Sequence, residues 1–456
     1  MSYFVNAALL FFSGVVAVAS SGCGSSGSSV AAADDAKVGS EDAGPLALDA
    51  RTPAADSSVE LDPPCGYSGL DNAFGSGGRA VFPWKLGRGG QLAVAFRREA
   101  SNVGGYVIAK GLAGGGAHGW ARVDSRGRFD DRFGEATQKL YEANPNNSLL
   151  RVYQVLSSAK DSATFASVSN ARGMYVVKLL PDGTPSPSFG LSGFAKVAGF
   201  EGDSFPAITD MQETDSGDLI VATSYPTAVY RVLGSGKTHL VCAASGKLPV
   251  GALNHSWSHG FSRIRALPGG RYSLATVIGI GGDNVGTTYT SYVFNGNVGD
   301  ATCPEPLVLA GSPGMRVETI DSEGSVLVSY DGSVFRSRVG WRAYSNDGLT
   351  SGTLMHPLSG DLNGFDDGKA SSRAKLFARR VGPVLEVEEL SWGADMSMLA
   401  PKRWSFAAGE YDGSLSAGIS DVVVQVGRHR FAHVASAAVG QGGAGPTAAI
   451  SQYCLR

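Results

Sequence analysis

Two pairs of histidines have spacings that could bind a metal ion. His255 and His259 lie in the segment NHSWSH, and on a helix this separation of four residues would place both imidazoles on one face. The surrounding Gly, Asn and Ser residues favour a loop instead. His429 and His433 lie in the strand-like segment RHRFAH, where four residues carry the second side chain about 13 Å along the same face. We therefore predict a metal site at neither pair.

A third candidate is the acidic segment DLNGFDDG, which carries short oxygen side chains at nearly alternate positions. The residues are Asp361, Asn363, Asp366 and Asp367. Calcium-binding loops begin with a similar pattern, but Phe365 occupies a ligand position of an EF-hand loop and no glutamate closes the loop at the required distance. We interpret the segment as a solvent-exposed connection, and we predict no cofactor.

Catalytic residues are not identified by any motif in the chain. No Gly-x-Ser-x-Gly segment has an assignable acid and base, and scattered Ser, His and Asp residues define no geometry. Tryptophans can form sugar-binding platforms, but we interpret those in this chain as core or rim residues. They are Trp84, Trp120, Trp257, Trp341, Trp392 and Trp404.

The composition is typical of a turn-rich, all-β protein. Hydrophobic residues make up 43% of the 456 residues, only 17% are charged, and 63 are glycine. The formal net charge is −3, and no run of Lys or Arg is present. The charge pattern therefore gives no reason to expect a nucleic-acid partner.

Residues 1–23 have the features of an export signal. Residues 7–19 are apolar, too few to span a bilayer comfortably, and end in small side chains. The tetrapeptide SSGC that ends at Cys23 resembles the lipobox of bacterial lipoproteins. This resemblance implies that Cys23 is acylated and becomes the mature N-terminus. The alternative is a plain secretory signal that is cleaved near Ala19 or Gly22.

Residues 24–64 are predicted to be a disordered linker. They are rich in Ser, Gly, Ala and Asp, contain no aromatic residue and show no hydrophobic periodicity. A flexible tether of this length lets a folded domain stand clear of a membrane. We expect a membrane partner reached through Cys23, and a location at the outer membrane or cell surface. A periplasmic or secreted protein is the alternative.

The folded region, residues 65–456, is organised by a repeated pattern of strands and turns. Residues 179–197 read LLPDGTPSPSFGLSGFAKV: a strand end, a Pro-Asp-Gly turn, a Phe-Gly step and a second apolar run. The same order occurs in LDNAFGSGGRAVF, from Leu70, and in ARVDSRGRFDDRFG, from Ala121. Such repetition indicates one supersecondary unit copied along the chain.

These copies resemble the delta-60 repeat, whose core reads Leu-Asp-x-x-Phe-Gly-x-x-Gly, and the resemblance covers about residues 65–197. The matching residues are Leu70, Asp71, Phe74, Gly75 and Gly78; Asp182, Gly183, Phe189, Gly190 and Gly193; and Phe129, Asp130, Phe133 and Gly134. In the second group, Pro185 and Ser186 replace Leu-Asp. The resemblance implies a β-propeller of surface and secreted bacterial proteins, without a shared set of catalytic residues.

Periodicity extends the pattern to the C-terminus. Seven unit-ending strands and seven preceding strands alternate, and the turn glycines of the units are separated by 45 to 60 residues. Strands such as Leu219 to Thr223 are apolar on both faces, as blades packed against two neighbours must be. We predict an all-β fold: a seven-bladed β-propeller of four-stranded antiparallel blades. An open β-solenoid is the alternative.

The two ends of the folded region are predicted to complete one blade together. The C-terminal AAISQYCLR is a unit-ending strand, and CGYSGLDNAFG supplies the turn segment that comes after such a strand in the repeat. Cys65 and Cys454 should then be neighbours and pair in an oxidising compartment. Cys242 and Cys303 come shortly after the unit-ending strands of adjacent units. Whether they pair is open, because equivalent sites on neighbouring blades can stand too far apart.

We predict that the propeller binds or scaffolds an unidentified protein or glycan on one rim or in the central channel. The alternative is an enzyme that acts on carbohydrate or another cell-surface polymer. Because function lies in loops grafted on a propeller scaffold, the fold alone does not choose between them.

Overall fold

The computed structural model describes most of the predicted strand-rich region, and all described residues belong to one structural unit, Val59–Arg456. The described residues are 69–85, 91–98, 103–111, 120–124, 126–133, 135–136, 151–158, 160–170, 173–199, 207–224, 226–248, 262–280, 288–300, 302–309, 315–332, 337–346, 373–381, 383–407, 419–426, 430–438 and 447–455. The predicted signal segment, the linker and Cys65 lie outside them.

The described chain is built almost entirely of β-strands. In chain order these are β1 (Gly69–Leu70), β2 (Arg79–Lys85), β3 (Gln91–Arg98), β4 (Val103–Gly111), β5 (Trp120–Val123), β6 (Arg151–Ser157), β7 (Thr164–Asn170), β8 (Gly173–Leu179), β9 (Phe194–Gly199), β10 (Ala207–Glu213), β11 (Leu219–Ser224), β12 (Ala228–Val232), β13 (Thr238–Cys242), β14 (Arg263–Leu267), β15 (Arg271–Ile280), β16 (Thr288–Asn297), β17 (Leu307–Leu309), β18 (Met315–Ile320), β19 (Val326–Gly332), β20 (Ser337–Tyr344), β21 (Ala374–Val381), β22 (Val384–Ser391), β23 (Lys402–Ala407), β24 (Ile419–Val426), β25 (Arg430–Ala438) and β26 (Thr447–Cys454). Two short 3-10 turns accompany them, Ala244–Lys247 and Pro268–Gly270.

These strands form seven antiparallel sheets within the described residues. We number the sheets in chain order: I (β3 to β5), II (β6 to β9), III (β10 to β13), IV (β14 to β17), V (β18 to β20), VI (β21 to β23) and VII (β24 to β26 with β1 and β2). Every unit-ending strand and every preceding strand predicted from the sequence is present, which includes β21 and β22 in the stretch with the weakest repeat pattern.

Neighbouring sheets pack side by side in chain order. The leading strands β3, β6, β10, β14 and β18 lie next to one another in succession. Sheets V and VI share a buried cluster around Trp341 and Trp392. Strand β21 lies against β24, and β24 lies against β3, so the series returns to its start. This circular arrangement of antiparallel sheets is the predicted β-propeller.

Sheet VII joins the two ends of the folded region, as predicted from the sequence. Strand β26 pairs with β25 on one side and with β1 and β2 on the other, and Gly69 is opposite Cys454 in the register. The side-chain amide of Gln452 donates a hydrogen bond to Asp71 Oδ2 at 2.7 Å. Sharing strands in this way leaves β26 without an exposed edge.

Where the structure describes burial, the core lies between the sheets, and central strands are buried on both faces. All six residues of β11 are buried. One face of sheet II packs against one face of sheet III in a cluster that includes Val176, Phe189, Met211 and Val221. Burial on both faces requires the continuous apolar strands that the sequence shows.

The repeated Phe-Gly step forms the joint between successive sheets. Its phenylalanines, Phe74, Phe133 and Phe189, are each only 1% exposed. The glycine that closes the turn of the next unit lies directly against each of them: Gly127 against Phe74, Gly183 against Phe133 and Gly236 against Phe189. These three turn glycines have φ values between 77° and 89°, a backbone conformation that favours glycine.

A hydrogen bond fixes the same joint in two of the copies. The amide of Gly75 donates to the carbonyl of Arg126 at 2.7 Å, and the amide of Gly190 donates to the carbonyl of Ser235 at 2.8 Å. Each acceptor directly precedes the turn glycine of the following unit. The sequence repeat is therefore a repeat of backbone geometry.

Candidate functional site

Cys242 and Cys303 form a disulfide, with their Cα atoms 4.6 Å apart. Cys242 ends β13, the outer strand of sheet III, and Cys303 lies in the connection from β16 to the outer strand of sheet IV. The bridge therefore joins the outer edges of neighbouring sheets, where the chain leading into β17 meets the end of β13. Lys247 and Glu305 form an ion pair across the same joint.

This disulfide occupies a joint where the Phe-Gly step is missing. Strand β12 passes to β13 through a tight turn, in which the amide of Gly236 donates to the carbonyl of Leu233 at 2.7 Å. The turn has no phenylalanine to insert between sheets III and IV. The disulfide therefore adds a covalent link at this joint, beside the buried apolar cluster that sheets III and IV share.

Cys454 is also disulfide-bonded, and its partner lies outside the described residues. Cys23 and Cys65 lie outside them too, so the predicted Cys65–Cys454 pair and the lipid anchor stay predictions.

The candidate metal ligands fall largely outside the described part of the chain. His255, His259, Asp361, Asn363, Asp366, Asp367 and His429 lie outside it, and the backbone of His433 lies in β25. Among the described residues, no three His, Cys, Asp or Glu side chains converge as metal ligands would.

The tryptophans that the structure describes in full behave largely as core residues. Trp120, Trp341 and Trp392 are buried, and Trp404 on β23 is half-buried. For Trp120, Trp341 and Trp392 this confirms the interpretation as core residues.

Asp210 links three neighbouring sheets, and no sequence motif singled it out. Its Oδ1 accepts a hydrogen bond from Gln154 Nε2 of sheet II at 2.8 Å, and its Oδ2 accepts one from the amide of Ile264 in sheet IV at 2.9 Å. Both Gln154 and Asp210 directly follow a shift in strand register, at Val152/Gln154 and Ile208/Asp210. A β-bulge of this kind redirects the side chains that follow it.

A buried ion pair links sheets V and VI. Lys375 Nζ donates to the carbonyl oxygen of Glu318 at 2.6 Å and lies 3.8 Å from its Oε2, while Ser329 Oγ donates to Oε1 at 2.7 Å. Both charged residues are at most 5% exposed. Removing either partner would leave a buried charge, so the pair ties the two sheets together.

Three carboxyl groups with lowered pKa values serve as structural anions. Burial opposes ionisation of Asp130, but its hydrogen bond and charge interaction with Arg122 hold its pKa below the ordinary value. Burial likewise opposes ionisation of Asp161 and Asp218, and bonds from Lys178 and Arg231 outweigh it to lower each pKa. A general acid needs a raised pKa, so these groups have the wrong shift for that role.

Burial raises the pKa of two phenols, Tyr272 and Tyr292. Burial, with a smaller contribution from the charge of Asp300, raises the pKa of Tyr272 to about 12. Tyr272 is 1% exposed and packs in the core cluster of sheets III and IV. It therefore contributes packing as a neutral side chain.

Asp210 and the Glu318–Lys375 pair therefore connect adjacent sheets, whereas the ion pairs of Asp130, Asp161 and Asp218 each hold residues of one sheet together. In the part of the chain that the structure describes, no helix is long and apolar enough to cross a bilayer.

The chain matches no protein-family model and no curated protein. Solved structures that it resembles include dihydro-heme d1 dehydrogenase NirN in complex with DHE, at 12% identity over 70% of this chain and 58% of that one, with a TM-score of 0.38. An oligogalacturonate lyase in complex with manganese shares 10% identity over 67% of this chain and 96% of that one, with a TM-score of 0.36. A protein of unknown function from Dyadobacter fermentans shares 10% identity over 82% of this chain and all of that one, also with a TM-score of 0.36.

The chain thus spans less than two thirds of the length of NirN. None of these similarities assigns an activity to it, and the delta-60 repeat type stays a prediction.

Proposed function

We propose that this protein is a lipid-anchored, extracytoplasmic, seven-bladed β-propeller that binds or scaffolds a protein or glycan. The observation that carries the location is the Cys242–Cys303 disulfide, together with the disulfide-bonded state of Cys454. Structural disulfides form and persist in oxidising compartments outside the cytosol. This supports export, which the apolar segment before Cys23 also indicates.

The proposed anchor is Cys23, and residues 24–64 are the proposed tether. A flexible chain of that length has a root-mean-square span of about 35 Å. A propeller held on such a tether would sample the membrane surface and the space next to it. A single anchoring segment of this kind suits a protein that presents a binding surface.

A binding role is supported by the structural contacts that the described acidic side chains make. Asp130, Asp161 and Asp218 hold ion pairs, Asp210 bridges three sheets, and Glu318 pairs with Lys375. These carboxylates have partners that fix the scaffold. The proposed ligand therefore meets the loops and rims of the propeller, and the alternative is an enzyme on carbohydrate whose acid and base lie in those loops.

The anchor is tested by making the variant Cys23→Ser and fractionating the cells that express it. We expect the wild-type protein in the detergent-soluble membrane fraction, with a lipid on its N-terminal peptide, and the variant released. Cys303→Ser is the matched control and should stay with the membrane. A soluble wild-type protein with an unmodified N-terminus would contradict the proposal.

The binding role is tested by titrating the chain from residue 24 onward with purified cell-surface glycans and envelope proteins. Saturable binding without turnover supports the proposal. Release of reducing sugar ends from a polymer would replace it with the enzyme.

A further inference from the structure

The exposed large apolar side chains of the described residues share one position in the blades. Leu191 is 81% exposed, Leu240 57%, Val308 60%, Leu307 37% and Leu399 48%. Each lies on the last strand of its sheet or in the connection leading to that strand. Single exposed leucines are normal on a protein surface. Several exposed apolar side chains that share a location and lie next to one another indicate an interaction surface.

Four of these side chains lie on three consecutive sheets whose outer strands meet. Strand β9 of sheet II lies against β13 of sheet III. The Cys242–Cys303 bridge then brings the end of β13 to within 4.6 Å, between Cα atoms, of the chain that enters β17 of sheet IV. We call this band the outer rim; its exposed residues include Leu191, Lys196, Lys237, Leu240, Leu307 and Val308.

The outer rim is basic where sheets II and III contribute to it. Lys196 on β9 and Lys237 before β13 are exposed, as is His239. The segments 194–199 and 237–248 contain no Asp or Glu. On the sheet IV side, Glu305 is already paired with Lys247. The band therefore combines protruding leucines with two exposed lysines, Lys196 and Lys237, that form no ion pair with the described residues.

We propose that the outer rim docks on an anionic phospholipid bilayer. Apolar side chains that insert at the headgroup boundary and lysines beside them are the combination that such surfaces bind. A partner that adds a strand is disfavoured, because lysine on an edge strand opposes strand pairing. The proposal rests on the proposed anchor for its biological setting, since a tethered domain needs only weak affinity to stay on the surface.

The test uses the chain from residue 24 onward, which keeps the whole structural unit Val59–Arg456 and carries no lipid. Its partition onto vesicles of phosphatidylcholine alone, and of phosphatidylcholine with an equal share of phosphatidylglycerol, is measured by co-sedimentation. We expect binding to the anionic vesicles that weakens as salt is raised, because exposed charges are screened.

Two variants and one control localise the binding. Lys196→Glu with Lys237→Glu should lower the partition at least about twentyfold, since each lysine near an anionic surface contributes about fivefold. Leu240→Ser with Val308→Ser should also lower it. Leu399→Ser, a similarly exposed leucine on sheet VI, should leave it unchanged, and thermal unfolding midpoints check that every variant folds.

The proposal is overturned by equal binding to both vesicle types, by no binding to either, or by Leu399→Ser acting like the rim variants. Self-association through the rim, without vesicle binding, would assign the surface to a second copy instead. Because the protein in this test has no lipid, failure of the anchor leaves the vesicle result intact and the two failures are distinguishable.

Discussion

Gly236 lies so close to Gly190 that a Cβ atom on Gly236 would stand 2.2 Å from the amide nitrogen of Gly190. One glycine closes the turn of sheet III, and the other belongs to the Phe-Gly step of sheet II. The contact allows Phe189 to fill the space between the two sheets, where it meets Phe165 edge-on at 5.8 Å between ring centroids. Two glycines far apart in sequence therefore set the spacing of two blades.

Gly236→Ala should destabilise the propeller by about 2 to 5 kcal/mol. The new Cβ meets backbone that has little room to move, and the φ of 81° is strained for alanine. Gly269 has a φ of 77° but open space around it, so Gly269→Ala measures the cost of backbone strain without a steric clash. Gly234→Ala meets nothing within 4 Å and should be near neutral. Urea unfolding midpoints of the three variants should rank in that order; equal midpoints for Gly236→Ala and Gly269→Ala would show that the joint is loose.

The ion pair of Asp218 with Arg231 should make stability depend on pH in the acid range. The bonds from Arg231, at 2.6 Å and 2.9 Å, and from the amide of Gly234 lower the pKa of Asp218 below its ordinary value of 3.8. Because the pKa of Asp218 is lower in the folded state, its ion pair stabilises the fold at pH values above the ordinary pKa. This stabilisation is lost as the pH falls through the lower pKa of the folded state. Asp218→Asn should lower the free energy of unfolding at pH 7 by about 1 to 2 kcal/mol, a value that solvent screening of the half-exposed Arg231 reduces. It should also make stability depend less on pH in the acid range. Asp215→Asn, an exposed carboxylate in the same hairpin, is the control and should leave the curve unchanged.

Cys242→Ser with Cys303→Ser should lower stability by about 2 to 4 kcal/mol, because the bridge closes a loop with a sequence separation of 61 residues. The double variant isolates this bridge, since a reducing agent would also open the disulfide of Cys454. Hydrogen exchange should rise in β13 and β17 but not in β8. Lys247→Ala removes only the exposed ion pair across the same joint and should cost less than about 1 kcal/mol. Unchanged exchange in β13 would mean that other contacts hold the joint.

Peptide mapping without reductant should recover Cys65 joined to Cys454. Gly69 and Leu70 pair with Cys454 and Tyr453, so the start of β1 lies beside the end of β26. A bridge over so long a loop would contribute about 4 to 5 kcal/mol in the chain-entropy model. Recovery of Cys65 as a free thiol would remove this bridge but not the strand pairing that closes sheet VII.

The strands and the repeated turns were predictable because they depend on local rules. Apolar runs buried on both faces identify β8 and β11, and turn glycines such as Gly183 and Gly236 are needed wherever φ is positive. Those rules act over a few residues, so they can be read along the chain. Closure through β26 was also predictable, because the pattern of β26 matches a unit-ending strand and the residues from Leu70 match the turn segment that follows such a strand in the repeat.

Tertiary structure decided which distant groups meet. The sequence left the pairing of Cys242 with Cys303 open, because equivalent sites on neighbouring blades can stand too far apart for a disulfide, and only the packed sheets bring the two Cα atoms within 4.6 Å. The partners of Asp210 likewise depend on β-bulges that shift register by one residue, and a shift of that size changes which sheet a side chain faces. Spacing between blades and register within them are properties of packing over the whole ring, and no local stretch of sequence contains them.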